Sequence, residues 1–340
     1  MKRDLSRLST ATADVGSLPL IDDFEGLQDN FKRAVKDKLS TGLDFPCYPQ
    51  LPGTKESPMN MYLQFLEPLV HERRGLSIEG EEIHLVGEIE IPDRPVGVDR
   101  ARYFIDYISK NQMTDVLLGS KACVTGPFTL ASSIDREDIF KSGVSKKEVI
   151  LRLSELVSSS CSELERLGFD LINIDEPILS VILAEDQVLK GLFGYGTDFV
   201  IDILNRILNS IRVYTGIHVC GIVTPVVKHV LLESKVDIVD HEFCDIPQNM
   251  QTYSKRELES NDKLLGFGCV STTNSIVETV EAIKLRIGQG LQLFGNNILI
   301  KPDCGFGGLI GLPSAYDISL RKLKNMVQAK KSLRYETEGF

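Results

Sequence analysis

The side chains best suited to chemistry are a histidine and a cysteine two residues apart, in Gly216-Ile217-His218-Val219-Cys220-Gly221. They close a short apolar run. On a β-strand, residues two apart point the same way, so His218 and Cys220 can reach one metal ion together. Glu242, in Asp240-His241-Glu242-Phe243, and Cys304, in Lys301-Pro302-Asp303-Cys304-Gly305, stand at the ends of two later apolar runs. Imidazole nitrogen, thiolate sulfur and carboxylate oxygen are the donors that zinc takes in a tetrahedron, and we read His218, Cys220, Glu242 and Cys304 as ligands of one zinc ion. Their wide spacing excludes a zinc finger, whose ligands cluster locally. Two thiolates and a carboxylate on Zn2+ leave a formal charge of about −1, which suits the centre to holding a substrate thiol as a nucleophilic thiolate rather than to acidifying water. Four protein ligands fill the tetrahedron, so substrate must displace one or raise the coordination number. Glu242 is the ligand expected to yield, because a borderline-soft metal holds thiolate more tightly. A single cysteine at a strand end is ordinarily a small core residue; the joint pattern carries the reading. His241, Cys244 and Cys269 are the substitutes the sequence offers, although His241 should point away from Glu242 along a strand.

Ligands at strand ends need strands in the right order. The first expected strand lies within Thr10 to Pro19 and the second within Gly42 to Gln50, where prolines favour a strand end over a central position. An amphipathic helix from Asp22-Asp23 to about Lys38 separates them, with Phe24, Leu27, Phe31 and Val35 on one face. After a loop, residues 59–70 read as helix. Residues 75–91 alternate around Glu79-Gly80-Glu81, the signature of a hairpin inserted into the plan. Further helices are expected over 99–109, 146–167, 178–188, 194–212, 223–233, 275–288 and 315–330. The remaining strands are expected over 116–127, 169–174, 215–220, 236–242, 264–270 and 298–302. Eight strands alternating with helices predict a single (β/α)8 TIM barrel over residues 1–340, with an insertion at about 75–91 and a mobile tail at about 331–340. The barrel is preferred to an open doubly wound sheet because Ser17, Gln50, Thr125-Gly126-Pro127, Asp175-Glu176, His218, Cys220, Glu242 and Cys304 all fall just after strands, and a barrel brings such groups to one mouth. Tyr48 and Gln50 are expected to line the pocket there.

Composition narrows the classes. The net charge of −10 argues against nucleic-acid binding by phosphate neutralisation. No apolar stretch reaches the roughly 18 residues of a membrane span, and no signal peptide follows Met1-Lys2-Arg3, so a cytoplasmic protein is expected. Seven cysteines, an odd number scattered over a long chain, argue against a disulfide framework.

The segments Val15-Gly16-Ser17-Leu18-Pro19, Val124-Thr125-Gly126-Pro127, Ile174-Asp175-Glu176-Pro177, His218-Val219-Cys220, Asp240-His241-Glu242 and Lys301-Pro302-Asp303-Cys304-Gly305 together carry a family likeness. The chain resembles the C-terminal catalytic barrel of cobalamin-independent methionine synthase, as a short single-barrel form. The wider superfamily includes uroporphyrinogen decarboxylase and corrinoid-dependent thiol methyltransferases. The resemblance implies zinc on His218, Cys220, Glu242 and Cys304, and homocysteine as methyl acceptor. It also implies that Gly16 and Ser17 receive the acceptor's carboxylate and that Asp175 holds its ammonium, a match of charge that the chemistry supports.

Two departures bear on the methyl donor. The family's histidine after the seventh strand is replaced here by Val270-Ser271-Thr272-Thr273-Asn274-Ser275, and the chain contains no tryptophan to stack a folate ring. A methyl group on folate nitrogen needs protonation help to leave. A methyl group on a corrinoid cobalt leaves without a proton, so a methylcobamide is the expected donor. No Asp-x-His-x-x-Gly corrinoid motif is present, so the corrinoid would arrive free or on a partner protein docked over the mouth. The expected function is therefore zinc-dependent methyl transfer from a methylated corrinoid to homocysteine, forming methionine. The rivals are a methylcorrinoid:coenzyme M methyltransferase, a folate-dependent methionine synthase, a metal-free porphyrinogen decarboxylase-like enzyme and a non-catalytic zinc scaffold.

Overall fold

A computed structural model of the chain describes residues 4–21, 26–52, 60–80, 82–184 and 195–337. The expected insertion is an antiparallel hairpin of β1 (Leu76–Glu79) and β2 (Glu82–Leu85), with Leu76 opposite Leu85. The other strands are β3 (Lys121–Thr125), β4 (Leu171–Asp175), β5 (Tyr214–His218), β6 (Ile238–His241), β7 (Leu264–Gly268) and β8 (Ile298–Lys301). They form one parallel sheet in sequence order. Parallel neighbours require crossover connections, and helices such as Lys146–Leu167 between β3 and β4 supply them. That helix starts where its sequence says it should: the Ser145 hydroxyl accepts from the Glu148 amide, and Gly168 ends it in the left-handed region at φ 100°.

The first two expected strands pair only at isolated positions. Thr12 pairs with Ile300, Ala13 with Phe45, and Cys47 with Lys121, all in parallel. The Thr10 amide donates to the Ile298 carbonyl (2.7 Å), Phe45 to Thr12 (2.9 Å) and Lys121 to Pro46 (3.0 Å). A continuous ladder cannot form through Pro46 and Pro49, which lack the amide hydrogen. Even so, these two segments link β8 to β3, so both edges of the six-stranded sheet have partners, and the architecture is TIM-barrel-like.

Other boundaries differ from expectation. The third strand begins at Lys121, not 116, because the Leu118 and Gly119 amides turn onto the Asp44 carbonyl. A short helix at Arg136–Ser142, capped by Asp135, has no counterpart in the expected plan. The last helix runs over Ala315–Thr337, so residues 331–337 extend it rather than form a tail. The helix expected over 178–188 is observed at Leu179–Ile182, and the rest of that range from 185 lies outside the described residues, as do residues 22–25, where the first helix was expected to open.

The main apolar core lies between the sheet and its helices. A second cluster, including Ala13, Phe45, Leu171, Ile238, Leu264 and Leu299, gathers at the N-terminal ends of the strands. Beyond it toward the C-terminal ends, the interior turns polar: Lys121, Asn173, Asp240 and Lys301 are each at most 1% exposed. Glycines make room for them. A Cβ on Gly216 would sit 2.1 Å from Asn173 Oδ1, and one on Gly266 2.8 Å from Asp240 Cβ. No described helix is long and apolar enough to cross a membrane.

Candidate metal centre and acceptor site

Parallel pairing aligns the C-terminal ends of the strands. Asp175 on β4 is registered with His218 on β5, and His218 with Asp240 on β6. Cys220 follows β5 by two residues, Glu242 follows β6 directly, and Cys304 follows β8 by three. Sequence positions 84 apart thereby meet: Cys220 Sγ lies 3.7 Å from Cys304 Sγ, and His218 Nε2 3.2 Å from Cys220 Sγ. Zinc–sulfur bonds of about 2.3 Å in a tetrahedron put two sulfurs about 3.8 Å apart, so this spacing fits a shared metal and is far too long for a disulfide. The ligand atoms of His218, Cys220 and Cys304 all lie within 4.8 Å of one another.

Glu242 stands beside this trio rather than within it. Its Oε2 accepts the Gly221 amide at 2.5 Å, in the turn that Gly221 makes at φ 82°. Of the three substitutes, His241 is fully buried and bonds away, to the Val219 carbonyl and the Tyr253 hydroxyl (both 3.1 Å). Cys269 is fully buried, and Cys244 belongs to a separate group with Asp245 and Asp303. In that group the carboxylates already have donors: Asp303 takes the amides of Phe243, Cys244 and Asp245, and Asp245 takes the hydroxyls of Ser271 and Thr273. Asp303 thus braces the turn that carries Glu242 and Cys244.

A buried charge network lies behind the trio. Asp240 Oδ1 receives His218 Nδ1 at 2.8 Å and Lys301 Nζ at 2.7 Å. This fixes the imidazole with Nε2 toward Cys220, and a carboxylate on the far ring nitrogen is the usual partner of a metal-bound histidine. Lys301 also donates to the carbonyls of Pro302 (2.9 Å) and Asp303 (2.7 Å), so the same ammonium shapes the turn that presents Cys304. Burial alone would raise the Asp240 carboxyl and lower His218. The Lys301 and His218 charges instead hold Asp240 well below the usual carboxylate range, and Asp240 pushes His218 up to about 10. In the thiol pair, hydrogen bonding from Cys220 and the nearby His218 pull Cys304 down, while Cys304 and burial push Cys220 up. The first proton of the pair is therefore the easier to lose, and a bound cation would displace the second.

The neighbouring residues present polar groups where an amino-acid substrate could lie. Asp175 is buried and accepts from Asn173 Nδ2 at 2.8 Å. Burial pushes its carboxyl up to about 6, against the pull of His218, Lys121 and Asn173. Glu176 is occupied structurally: it takes the Phe128 and Thr129 amides (2.9 Å each) and the Thr129 hydroxyl (2.6 Å), capping the helix Pro127–Ser132 from the next strand. Gly126 is required beside it, since a Cβ there would fall 2.2 Å from Glu176 Oε1.

At the first segment's exit, Gly16 adopts φ 115°. Its amide donates to Asp14 (3.1 Å) and its carbonyl accepts from Lys38 (2.8 Å), so Gly16 shapes the turn while its own amide is already engaged. Ser17 packs on Gly305, where a Cβ would come within 2.6 Å of Ser17 Cβ, and its carbonyl takes the Phe306 amide (3.0 Å). The turn therefore abuts the Cys304 segment. Gln50 Nε2 reaches the Cys123 carbonyl (3.2 Å) and Tyr48 hydroxyl (3.4 Å). Ser17 and Gln50 line a cavity of about 330 Å3 together with Asn60, Gln64 and Arg100.

Sequence reasoning missed Asp240, Lys301, Lys121 and the Asp14–Lys38 pair (2.7 Å). Their signal was present as charges inside apolar runs, but which charges meet depends on which strands the fold brings together.

The chain matches known proteins over most of its length. Residues 99–332 match the catalytic domain of the cobalamin-independent synthases. A methionine synthase of Methanocaldococcus jannaschii is 30% identical over 95% of this chain and 99% of that protein. One of Methanothermobacter marburgensis is 29% identical over 91% and 90%. Among solved structures, a B12-independent methionine synthase from a Shewanella species, in complex with selenomethionine, superposes with a TM-score of 0.70 at 16% identity, covering 97% of this chain and 99% of that one. A methyltransferase from Methanosarcina mazei gives 0.60 at 16% identity, covering 90% and 86%. These two likenesses support the fold, and the sequence match carries the family: the chain belongs to the cobalamin-independent methionine synthases, through their catalytic domain.

Proposed function

We propose that this chain is a zinc-dependent methyltransferase that forms methionine from homocysteine, and that its sheet closes through the segments around Thr12 and Cys47 into a (β/α)8 barrel with the site at its mouth. The observation that carries the reading is the convergence of His218, Cys220 and Cys304 within 4.8 Å, in a chain whose family makes methionine. These three residues would hold the zinc, with Glu242 as the fourth and exchangeable ligand, parked on the Gly221 amide when it is displaced. Bound zinc would supply the chemistry of keeping the acceptor sulfur a thiolate at neutral pH.

The protein's own groups do the positioning. Asp175 receives the acceptor's ammonium. Ser17, in the turn set by Gly16, receives its carboxylate beside the Cys304 segment, and Gln50 lines the same pocket. Held at both ends, the acceptor sulfur attacks the methyl carbon in line. The new sulfur–carbon bond forms as the bond to the donor breaks, and the electron pair leaves with the donor. Fixing the reactants in that geometry is a large part of the rate enhancement.

The donor we propose is a methylated corrinoid, free or on a partner protein. The support comes from the residues alone, since the family is described as cobalamin-independent. A folate nitrogen needs a proton as it leaves, and the segment after β7 offers Ser271, Thr272, Thr273 and Asn274, none of which is an acid at neutral pH. Ser271 and Thr273 are moreover bonded to Asp245 (3.0 and 3.1 Å). An acceptor without an ammonium, such as coenzyme M, would leave the buried Asp175 carboxylate without a partner cation. A cytoplasmic setting accords with this chemistry.

The test is one assay: purified, zinc-loaded protein with homocysteine and either methylcobalamin or methyltetrahydrofolate. Methionine from methylcobalamin is the expected product. Methionine formed only from the folate refutes the donor, and no methionine from either refutes the synthase reading.

A further inference from the structure

Lys121 differs from the other buried lysines. Lys38 donates to Asp14 (2.7 Å) and Gly16 (2.8 Å), Lys322 to Glu278 (2.8 Å) and Ser271 (3.1 Å), and Lys301 to three oxygens. Lys121 is 0% exposed, yet among the described residues its ammonium has no hydrogen-bond partner. It faces Asp240 Oδ2 across 3.8 Å, and that oxygen also has none. A buried ammonium without hydrogen bonds is costly compared with an apolar side chain of similar volume. Methionine would fill this space, so packing does not explain a lysine there. Burial acts against the charge, but Cys123, Asp240, Cys47 and Asp175 outweigh it and push Lys121 above its ordinary pKa. A cation that donates no hydrogen bond to the described residues, and meets the counter-charge of Asp240 only across 3.8 Å, acts at range.

What it acts on is the anionic set above it. Two thiolates, Glu242, Asp175 and Asp240 outnumber the positive charges of Lys301 and a divalent metal by two. A thiol acceptor adds another negative charge when its proton passes to solvent and the charge stays on sulfur. We propose that Lys121 is a positioning residue acting through its charge: from beneath the metal centre it offsets the anionic ligand set so that the acceptor can bind as a thiolate. The proposal rests on the thiol-acceptor reading above. No carbon bond changes in this step, and among the described residues Lys121 makes no hydrogen bond to a proposed ligand.

The test compares two ligands with the same amino-acid head, homocysteine, which would bind as thiolate, and methionine, whose sulfur is uncharged. Both are titrated calorimetrically into zinc-loaded wild type and Lys121→Met, with zinc content and circular dichroism measured alongside. The expected result is that homocysteine binding weakens about tenfold, the order for one unit charge at about 10 Å in a medium of effective dielectric about 20. Methionine binding stays the same, and proton release on homocysteine binding falls. Equal weakening of both ligands would assign Lys121 to packing and overturn the proposal, as would unchanged homocysteine binding. If Lys121→Met does not fold, Lys121→Gln carries the same comparison. If neither neutral variant folds with zinc bound, the lysine serves stability and the proposal fails. Wild-type protein that binds zinc but not homocysteine overturns the thiol-acceptor reading itself, and this proposal with it.

Discussion

Asp240→Asn is the sharpest perturbation of the proposed centre, because it keeps the side-chain shape and removes one charge. In the wild type one carboxylate oxygen accepts from His218 at 2.8 Å and from Lys301 at 2.7 Å, and the other faces Lys121 at 3.8 Å. Asparagine can still accept from His218, but weakly, as a neutral amide. Its amino group must then face one of the two lysines, both of which are 0% exposed. Breaking a buried ion pair by removing one partner costs about 3–5 kcal/mol, so the metal-free variant should unfold at clearly lower denaturant concentration. The second effect is on the metal. Loss of a charged partner on the far nitrogen of a metal-bound histidine lowers metal affinity about 10–100-fold, or about 1.4–2.7 kcal/mol. Denaturant melts of metal-free protein measure the first quantity, and zinc competition against a chelator of known affinity measures the second. If stability falls while zinc affinity is unchanged, Asp240 does not orient a ligand, and the assignment of His218 to the metal is wrong. If neither changes, the buried network does not exist as described.

Three further substitutions test the site from other directions. Cys220→Ala and Cys304→Ala should each abolish stoichiometric zinc while leaving far-ultraviolet circular dichroism unchanged; zinc retained at one equivalent in both would move the metal elsewhere, and metal analysis by mass spectrometry decides. Asp175→Asn should weaken homocysteine binding by at least about tenfold, the order for a buried charge-assisted pair. In the wild type, protons compete with the acceptor's ammonium for Asp175, whose pKa is raised to about 6. Affinity measured by calorimetry should therefore fall as pH drops through about 6, and the Asn variant should lack that limb. A wild-type affinity that stays flat across that range would remove Asp175 from the acceptor site.

The candidate ligands were legible because strand geometry is local. His218 and Cys220 share a face by the period of two, and parallel strands separated by helices send their C-terminal ends to the same side. The turn before Cys304 and the Gly16-Ser17 turn announce themselves by glycine and proline. Other features were hidden for equally physical reasons. Pro46 and Pro49 reduce the expected second strand to isolated pairings, a boundary that propensity alone does not fix. Gly16 looked like a donor to substrate, and only the fold brings Asp14 and Lys38 onto its amide and carbonyl.

By itself, then, the sequence determined the alternation of strands and helices, the inserted hairpin, the candidate metal ligands His218, Cys220 and Cys304 and the family, since each of these follows from local periodicity or from residue identity. The tertiary structure alone decided that Glu242 rests on the Gly221 amide beside the trio, that Glu176 caps a neighbouring helix, and that Lys121, Asp240 and Lys301 from β3, β6 and β8 form one buried layer under the site. A charge within an apolar run carries no mark of its partner. Its partner is set by which strand stands opposite once the sheet has curved round, and that is a property of the whole chain.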